Sequence, residues 1–352
     1  MVVFSCFDGA ACGYMAAKRA YLPISKYIAS EIDPSSIQIA NKNFPSIIQG
    51  GDIRNFLYED KKLYAYQYDW SESDREVASK MKSKANIEEL VVFFLKERNR
   101  TELKVLHEGA IDLMIGGSPC QDLSFSGKMA GLYGVTRSAL FWSYNRLLKE
   151  IRPKHFLLEN VKMPKKWQRI ITENLNVSPI LINSSLVSEQ NRERLYWTNI
   201  PHPNIKDRNG NLKDILLSDV DDKYFLSEEK IDGMLSEGRI SFPKNFNYDD
   251  IRGCAQRGRY VIKDGIKKTA QFIEFRSDYK ANCLTTVKKD SMVYIGNRAG
   301  HFKIRNLHPI EGERLQTLPD NYTKGISENK RWNLIGNGWT VDIISEFLKN
   351  IK

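Results

Sequence analysis

The sequence holds few cysteines, and none has a spacing typical of metal binding or of a disulfide framework. The five cysteines are odd in number and form no CxxC or Cys/His pattern. A structural zinc site and a disulfide-stabilised fold are therefore not expected, and we predict no metal centre. A reducing cytoplasm fits this cysteine usage.

The sequence also lacks a long apolar run, a charged leader and a GxGxxG signature. No segment is apolar enough to span a bilayer, and Val2-Val3-Phe4 is already typical of a core strand, so we expect neither export nor a membrane partner. The missing GxGxxG disfavours a nicotinamide oxidoreductase. With 352 residues, 41% of them hydrophobic, the chain can bury a sizeable core, and we expect a monomer with one large and one smaller domain.

Acidic residues are scarce in one region of this basic chain. The net charge is +10, and residues 251–305 hold thirteen Lys and Arg against four Asp and Glu. Such runs are most often a solvated face. The same excess, interleaved with glycine and tyrosine in Arg257-Gly258-Arg259-Tyr260, is also the footprint expected for phosphate contacts.

Short apolar strands alternate with helix-length segments through the first half of the chain. This rhythm predicts a largely parallel sheet with helices on both faces. The predicted strands are residues 2–7, 27–31, 47–51, 111–115, 155–158 and 181–186. The predicted helices lie near residues 14–20, 35–43, 138–151 and 167–174.

Composition predicts how the domains are arranged. Residues 1–200 are expected to form a catalytic and cofactor-binding domain, with a polar insertion at 54–107 that contains one helix-like stretch at 87–98. Short segments and turn residues predict a second domain at 201–305. Helical periodicity returns at 310–317 and 341–351, so we expect residues 306–352 to complete the first domain.

The most informative motif is Gly116-Gly117-Ser118-Pro119-Cys120-Gln121-Asp122. It follows an apolar strand, and proline stiffens the turn that presents Cys120 at the carboxyl end of that strand, where α/β sheets place their ligands. This position suits an exposed nucleophile. The alternative is a small buried hydrophobe, the commonest state of a lone cysteine.

Acidic residues at two further strand ends predict a nucleoside-bearing cofactor. The block from Phe7 to Gly13 opens a helix after the first strand, where backbone amides can approach a ligand. Glu31 can accept hydrogen bonds from ribose hydroxyls, and Asp52-Ile53 suits an adenine amine and ring face. An unliganded tight turn and ordinary strand-end acids are the alternatives.

Two later strand ends carry charged side chains. Glu159 ends the strand at 155–158, and Arg192 and Arg194 stand two residues apart after the next one. A structural salt bridge is the usual explanation for such groups. A thiol, a carboxylate and two guanidiniums converging on one sheet edge are more typical of a reaction site.

These blocks resemble, in the family's usual order, the motifs of cytosine-C5 DNA methyltransferases of bacterial and phage type, with similarity to the animal de novo enzymes. The resemblance covers most of the chain outside 54–107 and 201–295. It is carried by Phe7-Asp8-Gly9, Tyr27-Ile28-Ala29-Ser30-Glu31, Gly51-Asp52-Ile53, Ser118-Pro119-Cys120-Gln121, Glu159-Asn160-Val161, Gln190 with Arg192 and Arg194, and Gly336-Asn337-Gly338. It implies an α/β, Rossmann-like S-adenosylmethionine-dependent methyltransferase fold with a smaller target-recognition domain.

The resemblance also implies the site residues. It assigns S-adenosyl-L-methionine, with S-adenosyl-L-homocysteine as product, to Phe7, Asp8, Gly9, Ala10, Glu31, Ile32, Asp52, Ile53, Ser118, Pro119, Leu140, Asn337 and Trp339. It assigns to catalysis Cys120, which adds to C6 of a cytosine flipped out of double-stranded DNA, with Glu159, Arg192 and Arg194. The DNA contacts expected from the closing loop and the basic domain are Gln121, Ser124, Ser126, Lys128, Arg252, Arg257, Arg259, Arg276, Asn282, Thr285 and Thr286.

Two other functions remain open at this point. A tRNA-methylating branch shares the scaffold, although the large basic segment after Arg194 favours DNA. A catalytically inactive DNA-binding regulator would not require Cys120, Glu159 and both arginines. We expect a cytoplasmic protein, nucleoid-associated or phage-encoded, with a cognate restriction endonuclease as a candidate partner.

Overall fold

The chain packs as two compact units in a computed structural model that describes residues 1–66, 103–119, 132, 137–244, 246–263, 266–296 and 301–351. The first unit comprises Met1–Ile182, Glu193–Asn204 and Ile344–Lys352, and the second comprises Asn183–Arg192 and Ile205–Ile343. Among the helices in these described ranges, none is long and apolar enough to cross a membrane.

The first unit is built on a seven-stranded sheet with helices between successive strands. Its strands and helices are, in chain order, β1 (Val2–Cys6), α1 (Cys12–Arg19), β2 (Lys26–Ser30), α2 (Pro34–Asn43), β3 (Ile48–Gln49), β4 (Phe56–Glu59), β5 (Lys62–Tyr66), β6 (Leu103–Glu108), β7 (Leu113–Gly116), α3 (Phe141–Ile151), β8 (His155–Val161), α4 (Lys165–Leu175), β9 (Ile180–Asn183) and β10 (Glu193–Thr198). The apolar stretches in β1, β2, β7 and β8 are buried on both faces, as expected for central strands.

The strand order is β3-β2-β1-β7-β8-β10-β9. Strand β1 pairs in parallel with β2 and β7, β7 pairs in parallel with β8, and β10 runs antiparallel to β8. From β1 the chain continues through β2 to β3 at one edge of the sheet and later returns to β7, which lies on the other side of β1. The strand order therefore reverses between β1 and β7. Open α/β sheets bind ligands at the carboxyl ends of strands at such a point. The predicted α/β, Rossmann-like fold is confirmed.

A large apolar core holds this sheet in place. Phe4, Met114, Leu158 and Trp197 are fully buried, and Trp142 is almost so. Burying each such side chain stabilises the fold by about 1.5–3 kcal/mol. The strand ends that carry the polar motifs are therefore fixed by close packing beneath them.

The predicted insertion at 54–107 contains three strands that its polar composition conceals. Strands β4, β5 and β6 form an antiparallel sheet in that order, and Arg146 donates a 2.7 Å hydrogen bond from Nη2 to the carbonyl of Phe56. The predicted helix-like stretch at 87–98 lies outside the described residues.

The second unit is built on a four-stranded antiparallel sheet. The main elements from residue 228 onwards are α5 (Glu228–Ser236), β11 (Ile251–Lys263), β12 (Ile266–Phe275), β13 (Met292–Gly296), β14 (Phe302–Asn306), α6 (Pro309–Leu315), α7 (Glu328–Asn337) and α8 (Val341–Leu348). The strand order is β12-β11-β13-β14. Residues 306–343 pack with this unit and 344–352 with the first. Since packing does not define functional domains, the division at 201 and 306 stays a prediction.

Candidate active site

The turn after β1 is held in an uncommon backbone conformation. Phe7, Gly9 and Ala11 all have positive φ, of 58°, 60° and 60°. The amide of Asp8 donates to the Ser30 carbonyl at 3.1 Å, which ties the turn to the end of β2. Nothing lies within 4 Å of the position that a Cβ on Gly9 would occupy, so the turn leaves open space beside its backbone.

Glu31 connects this turn to the loop after β2. Its Oε2 accepts the Gly9 amide at 2.8 Å, and its Oε1 accepts the amides of Ile32 and Asp33 at 2.7 and 2.8 Å. The carboxylate is thus fixed at the end of β2. Ile32 beside it is 65% exposed, which leaves an apolar side chain available to a ring face.

The third predicted acid, Asp52, follows β3. It accepts hydrogen bonds from the backbone amide of Arg54 at 2.9 Å and from the Arg54 guanidinium. Ile53 is buried, and Gly51, with φ of 83°, again has nothing within 4 Å of a Cβ position. Glycines after β1 and β3, the strands on either side of β2, therefore leave space next to Glu31 and Asp52.

Asp8, in the turn after β1, is a buried carboxyl whose pKa is raised. Burial raises its pKa from 3.8 to about 7, and the negative charge of Glu31 adds to the rise. The Tyr27 hydroxyl donates to Asp8 Oδ1 at 2.7 Å and opposes it. Oδ2 is buried with no hydrogen-bond partner among the described residues. A carboxyl in this state titrates near neutral pH.

The end of β8 is tied to the segment that carries the predicted nucleophile. Asn160 donates from Nδ2 to both the hydroxyl and the carbonyl of Ser118, at 3.0 and 3.2 Å. Ser118 is buried and Pro119 is partly buried. The next residue, Cys120, lies outside the described residues, as do the predicted DNA contacts Gln121, Ser124, Ser126 and Lys128.

Glu159 and Arg194 form an ion pair across the antiparallel strands β8 and β10. Arg194 Nε lies 3.0 Å from Glu159 Oε1, and each side chain is only 12% exposed. An ion pair this shielded is screened less than a surface pair, so it holds the carboxylate in one orientation. The structure thus brings together one predicted guanidinium and the predicted carboxylate.

Arg192 has a different environment, although it stands two residues before Arg194. Its guanidinium donates to the carbonyls of Leu284 at 2.8 Å, Gly338 at 2.9 Å and Gly336 at 3.3 Å, all in the second unit. The residue is 3% exposed. These contacts give Arg192 the role of fixing backbone segments, a role that sequence reasoning did not assign to it.

A glutamine pair, which the sequence analysis did not single out for this role, extends that network. Gln190 donates to the Leu315 carbonyl at 2.5 Å and to Gln316 Oε1 at 3.1 Å, and it accepts the Leu284 amide at 3.3 Å. Gln316 in turn donates to the Gly338 carbonyl at 3.1 Å. The only sequence signal for this hydrogen-bond network is that Gln190 lies close to Arg192 and Arg194 in the chain.

The remaining predicted cofactor residues are placed as follows. Phe7 is partly buried, Ala10 is buried, and Leu140 is partly buried directly before α3. Asn337 is the exposed last residue of α7, and Trp339 is half-buried two residues later. The assignment of Asn337 and Trp339 to the cofactor stays a prediction.

Most described residues predicted to contact DNA have partners within the second unit. Arg252 is 9% exposed and its guanidinium lies 3.9 Å from the centre of the Tyr279 ring. The other pairs are Arg276 with Asp278 at 2.6 Å and with Asn282 at 3.3 Å, Thr285 with Asp290 at 2.8 Å, and Arg259 and Arg257 with Glu274 at 2.5 and 3.7 Å. Thr286 is exposed.

Comparison with known proteins identifies the family. The chain is 30% identical to the Type II methyltransferase M1.ScrFI of Lactococcus lactis subsp. cremoris over 66% of its own length and 60% of that protein, so it spans about three fifths of this relative. It is 28% identical to the Type II methyltransferase M.HpaII of Haemophilus parainfluenzae, over 71% of the chain and 74% of the relative. The structure of the S. pombe Dnmt2 methyltransferase shares the fold, with a TM-score of 0.57 and 14% identity over 98% of this chain and 96% of the other. Residues 82–352 match the profile of the C-5 cytosine-specific DNA methylases, and the chain belongs to that family.

Proposed function

We propose that this chain is a DNA (cytosine-5) methyltransferase that modifies a flipped cytosine in double-stranded DNA through a covalent bond between Cys120 and C6. The observation that carries the proposal is the ion pair between Glu159 in β8 and Arg194 in β10, whose Oε1 and Nε atoms lie 3.0 Å apart. The residue after Glu159, Asn160, donates a hydrogen bond to the Ser118 hydroxyl. Ser118 stands two residues before Cys120. This arrangement supports the proposal, because the buried Glu159 carboxylate lies in β8 and Ser118 follows the adjacent strand β7.

The strand ends of the first unit fit S-adenosylmethionine. Gly9 and Gly51 leave open space where a Cβ would lie, Glu31 offers a fixed carboxylate, and exposed Ile32 offers an apolar face. We infer that Glu31 would accept ribose hydroxyls and that Ile32 and Asp52 would hold the adenine. The cofactor would supply an electrophilic methyl carbon.

The proposed chemistry needs a nucleophile, Cys120, and a group that offsets developing charge, Glu159. Cytosine C5 is a poor nucleophile, so the Cys120 thiolate forms a bond to C6 and electron density moves to C5. Glu159, held by Arg194, hydrogen-bonds N3 and the exocyclic amine, which offsets the charge that develops on the ring. Once C5 carries its methyl group, loss of the C5 proton restores the C5–C6 double bond and releases the thiolate.

Double-stranded DNA is the partner that the basic second unit favours. A stacked base cannot be reached from both sides of its ring, so it must leave the helix at a cost of a few kcal/mol. Phosphate contacts from the cationic segment at 251–305 would offset that cost. We infer a monomer, as expected for an enzyme that acts on one base at a time.

Covalent trapping tests the chemistry directly. A duplex containing 5-fluorocytosine at the modified site, incubated with S-adenosylmethionine, should become attached to the wild-type protein and not to Cys120→Ser, because fluorine at C5 blocks the elimination. Cys254→Ala, which removes a buried thiol in β11, is the control that should still be trapped. No adduct with wild-type protein would refute the mechanism.

Bisulfite sequencing identifies the substrate and the recognition site. Plasmid DNA from cells expressing the wild-type chain should carry 5-methylcytosine in one sequence context. Methylation of a tRNA alone would establish the RNA-directed alternative, and DNA binding without any methylated product would establish the inactive regulator. Glu159→Gln should lower the single-turnover rate by about 10²–10⁴-fold.

A further inference from the structure

Strands β11 and β12 extend beyond their sheet as a two-stranded ribbon. Strand β11 pairs with β13 only from Ile251 to Cys254, whereas it pairs with β12 from Cys254 to Lys263. At about 3.3 Å per residue, the stretch from Arg257 to Lys263 is roughly 20 Å long. The described side chains along β11 in this stretch are exposed, apart from the partly buried Val261.

The register separates the side chains of the ribbon into two faces. Tyr260 is opposite Thr269, and Ile262 is opposite Lys267, so these four side chains share one face, the Tyr260 face. Tyr260 is 74% exposed and Ile262 is 81% exposed. Two large side chains this exposed on one face of a narrow projection form an apolar surface that a partner can cover.

Arg257 and Arg259 belong to the opposite face, together with Lys268. Arg259 pairs with Glu274 at 2.5 and 2.8 Å, and Arg257 lies 3.7 Å from the same carboxylate, so part of their charge is satisfied within the unit. Among the described residues, no carboxylate pairs with Lys267 or Lys268. The Lys267 ammonium lies 4.0 Å from the centre of the Tyr260 ring.

The charge and width of the ribbon fit one partner. Residues 257–272 contain five Lys and Arg and one Asp, which favours a polyanion over a second copy of this basic chain. Two strands about 4.8 Å apart nearly fill a minor groove about 6 Å wide before their side chains are counted. A major groove about 12 Å wide admits a two-stranded ribbon with its side chains.

We propose that the ribbon formed by β11 and β12 enters the major groove of double-stranded DNA, where Tyr260 and Ile262 contact base edges and Lys267 and Lys268 contact phosphates. This inference rests on the proposed function for the identity of the substrate. It adds Tyr260, Ile262, Lys267 and Lys268 to the arginines expected from the sequence, and it makes the Tyr260 face the one that reads bases.

Binding of the full chain to a 30-base-pair duplex that carries the mapped site tests the proposal. With S-adenosylhomocysteine present, the double variant Tyr260→Ala/Ile262→Ala should bind at least tenfold more weakly than wild type. The control is Tyr21→Ala in the first unit, which removes a tyrosine that is 91% exposed and should bind as wild type does. Methyl green, a major-groove ligand, should compete with wild-type binding, and netropsin, a minor-groove ligand, should not.

Salt dependence separates base contacts from phosphate contacts. Lys268→Gln should reduce the slope of log Kd against log salt concentration by about 0.9, whereas the Tyr260→Ala/Ile262→Ala variant should keep the wild-type slope. A double variant that binds DNA within twofold of wild type would overturn the proposal. So would competition by netropsin alone, or a change confined to self-association in sedimentation velocity.

These outcomes are distinct from failure of the proposed function. If wild-type protein forms no 5-methylcytosine, the proposed function fails, and a mixed-sequence duplex of the same length still measures whether the ribbon binds DNA. If wild-type protein methylates DNA and the ribbon variants bind normally, only the ribbon proposal fails.

Discussion

Replacing Asp8 by asparagine should remove a pH-dependent loss of stability from the first unit. The unfolded chain ionises this carboxyl near 3.8, whereas burial raises its pKa to about 7 in the folded protein. Between these values the folded state holds a proton that the unfolded state has released. The free energy of unfolding therefore falls as pH rises through this window, by about 1.4 kcal/mol per pH unit.

The full effect is about 4 kcal/mol, because the two pKa values differ by roughly three. The stability contribution is complete below pH 4 and is lost once the pH passes 7. An asparagine side chain cannot ionise but can still accept the Tyr27 hydroxyl, so Asp8→Asn should gain stability relative to wild type as pH rises, and the difference should level off above pH 7.

Urea denaturation of both proteins at half-unit steps from pH 5 to pH 8 measures this difference directly. Tyr27→Phe is the informative companion, since loss of the hydrogen bond to the carboxylate should move the pH of levelling upwards. Parallel stability curves for wild type and Asp8→Asn would show that Asp8 has the same pKa in both states and would refute the reasoning.

Three further changes test the packing of the second unit. Gly336→Ala would place a Cβ in steric overlap with the Thr285 carbonyl and should lower the free energy of unfolding by about 1–3 kcal/mol, measured by urea denaturation. Arg305→Met would leave Glu311 buried without its 2.7 Å partner and should cost about 3–5 kcal/mol. Arg305→Met/Glu311→Gln should recover part of this cost, because glutamine removes the unpaired charge and keeps an oxygen that can accept the Leu217 or His308 amide. Arg192→Lys should lower stability by about 1–3 kcal/mol yet leave the single-turnover rate at saturating DNA close to wild type. A single-turnover rate lower by orders of magnitude would instead support a catalytic role for Arg192.

The parallel sheet could be predicted because its signals are local. Each central strand is a continuous apolar run that ends in a polar or glycine-containing motif, as in β1 and β7. The inserted sheet gave no such signal. Strands β4 and β5 are only four and five residues long, and the third strand, β6, pairs with β5 across a gap of 36 residues between Tyr66 and Leu103. Pairing at that separation depends on tertiary contacts that periodicity does not contain.

Arg192 and Arg194 show that a shared sequence motif does not determine the environment of each side chain. Arg192 and Arg194 share a motif and a spacing that predicts side chains on one side of an extended segment. Strand β10 begins only at Glu193, so Arg194 is positioned by its pairing opposite β8 and reaches Glu159. Arg192 precedes the strand and its guanidinium has three backbone carbonyls to satisfy, from segments 92 to 146 residues away in the chain. A guanidinium whose donors are already used for buried carbonyls has fewer left for a substrate. The strand boundary, a feature of one residue, therefore decides which arginine pairs with Glu159 and which one holds backbone carbonyls.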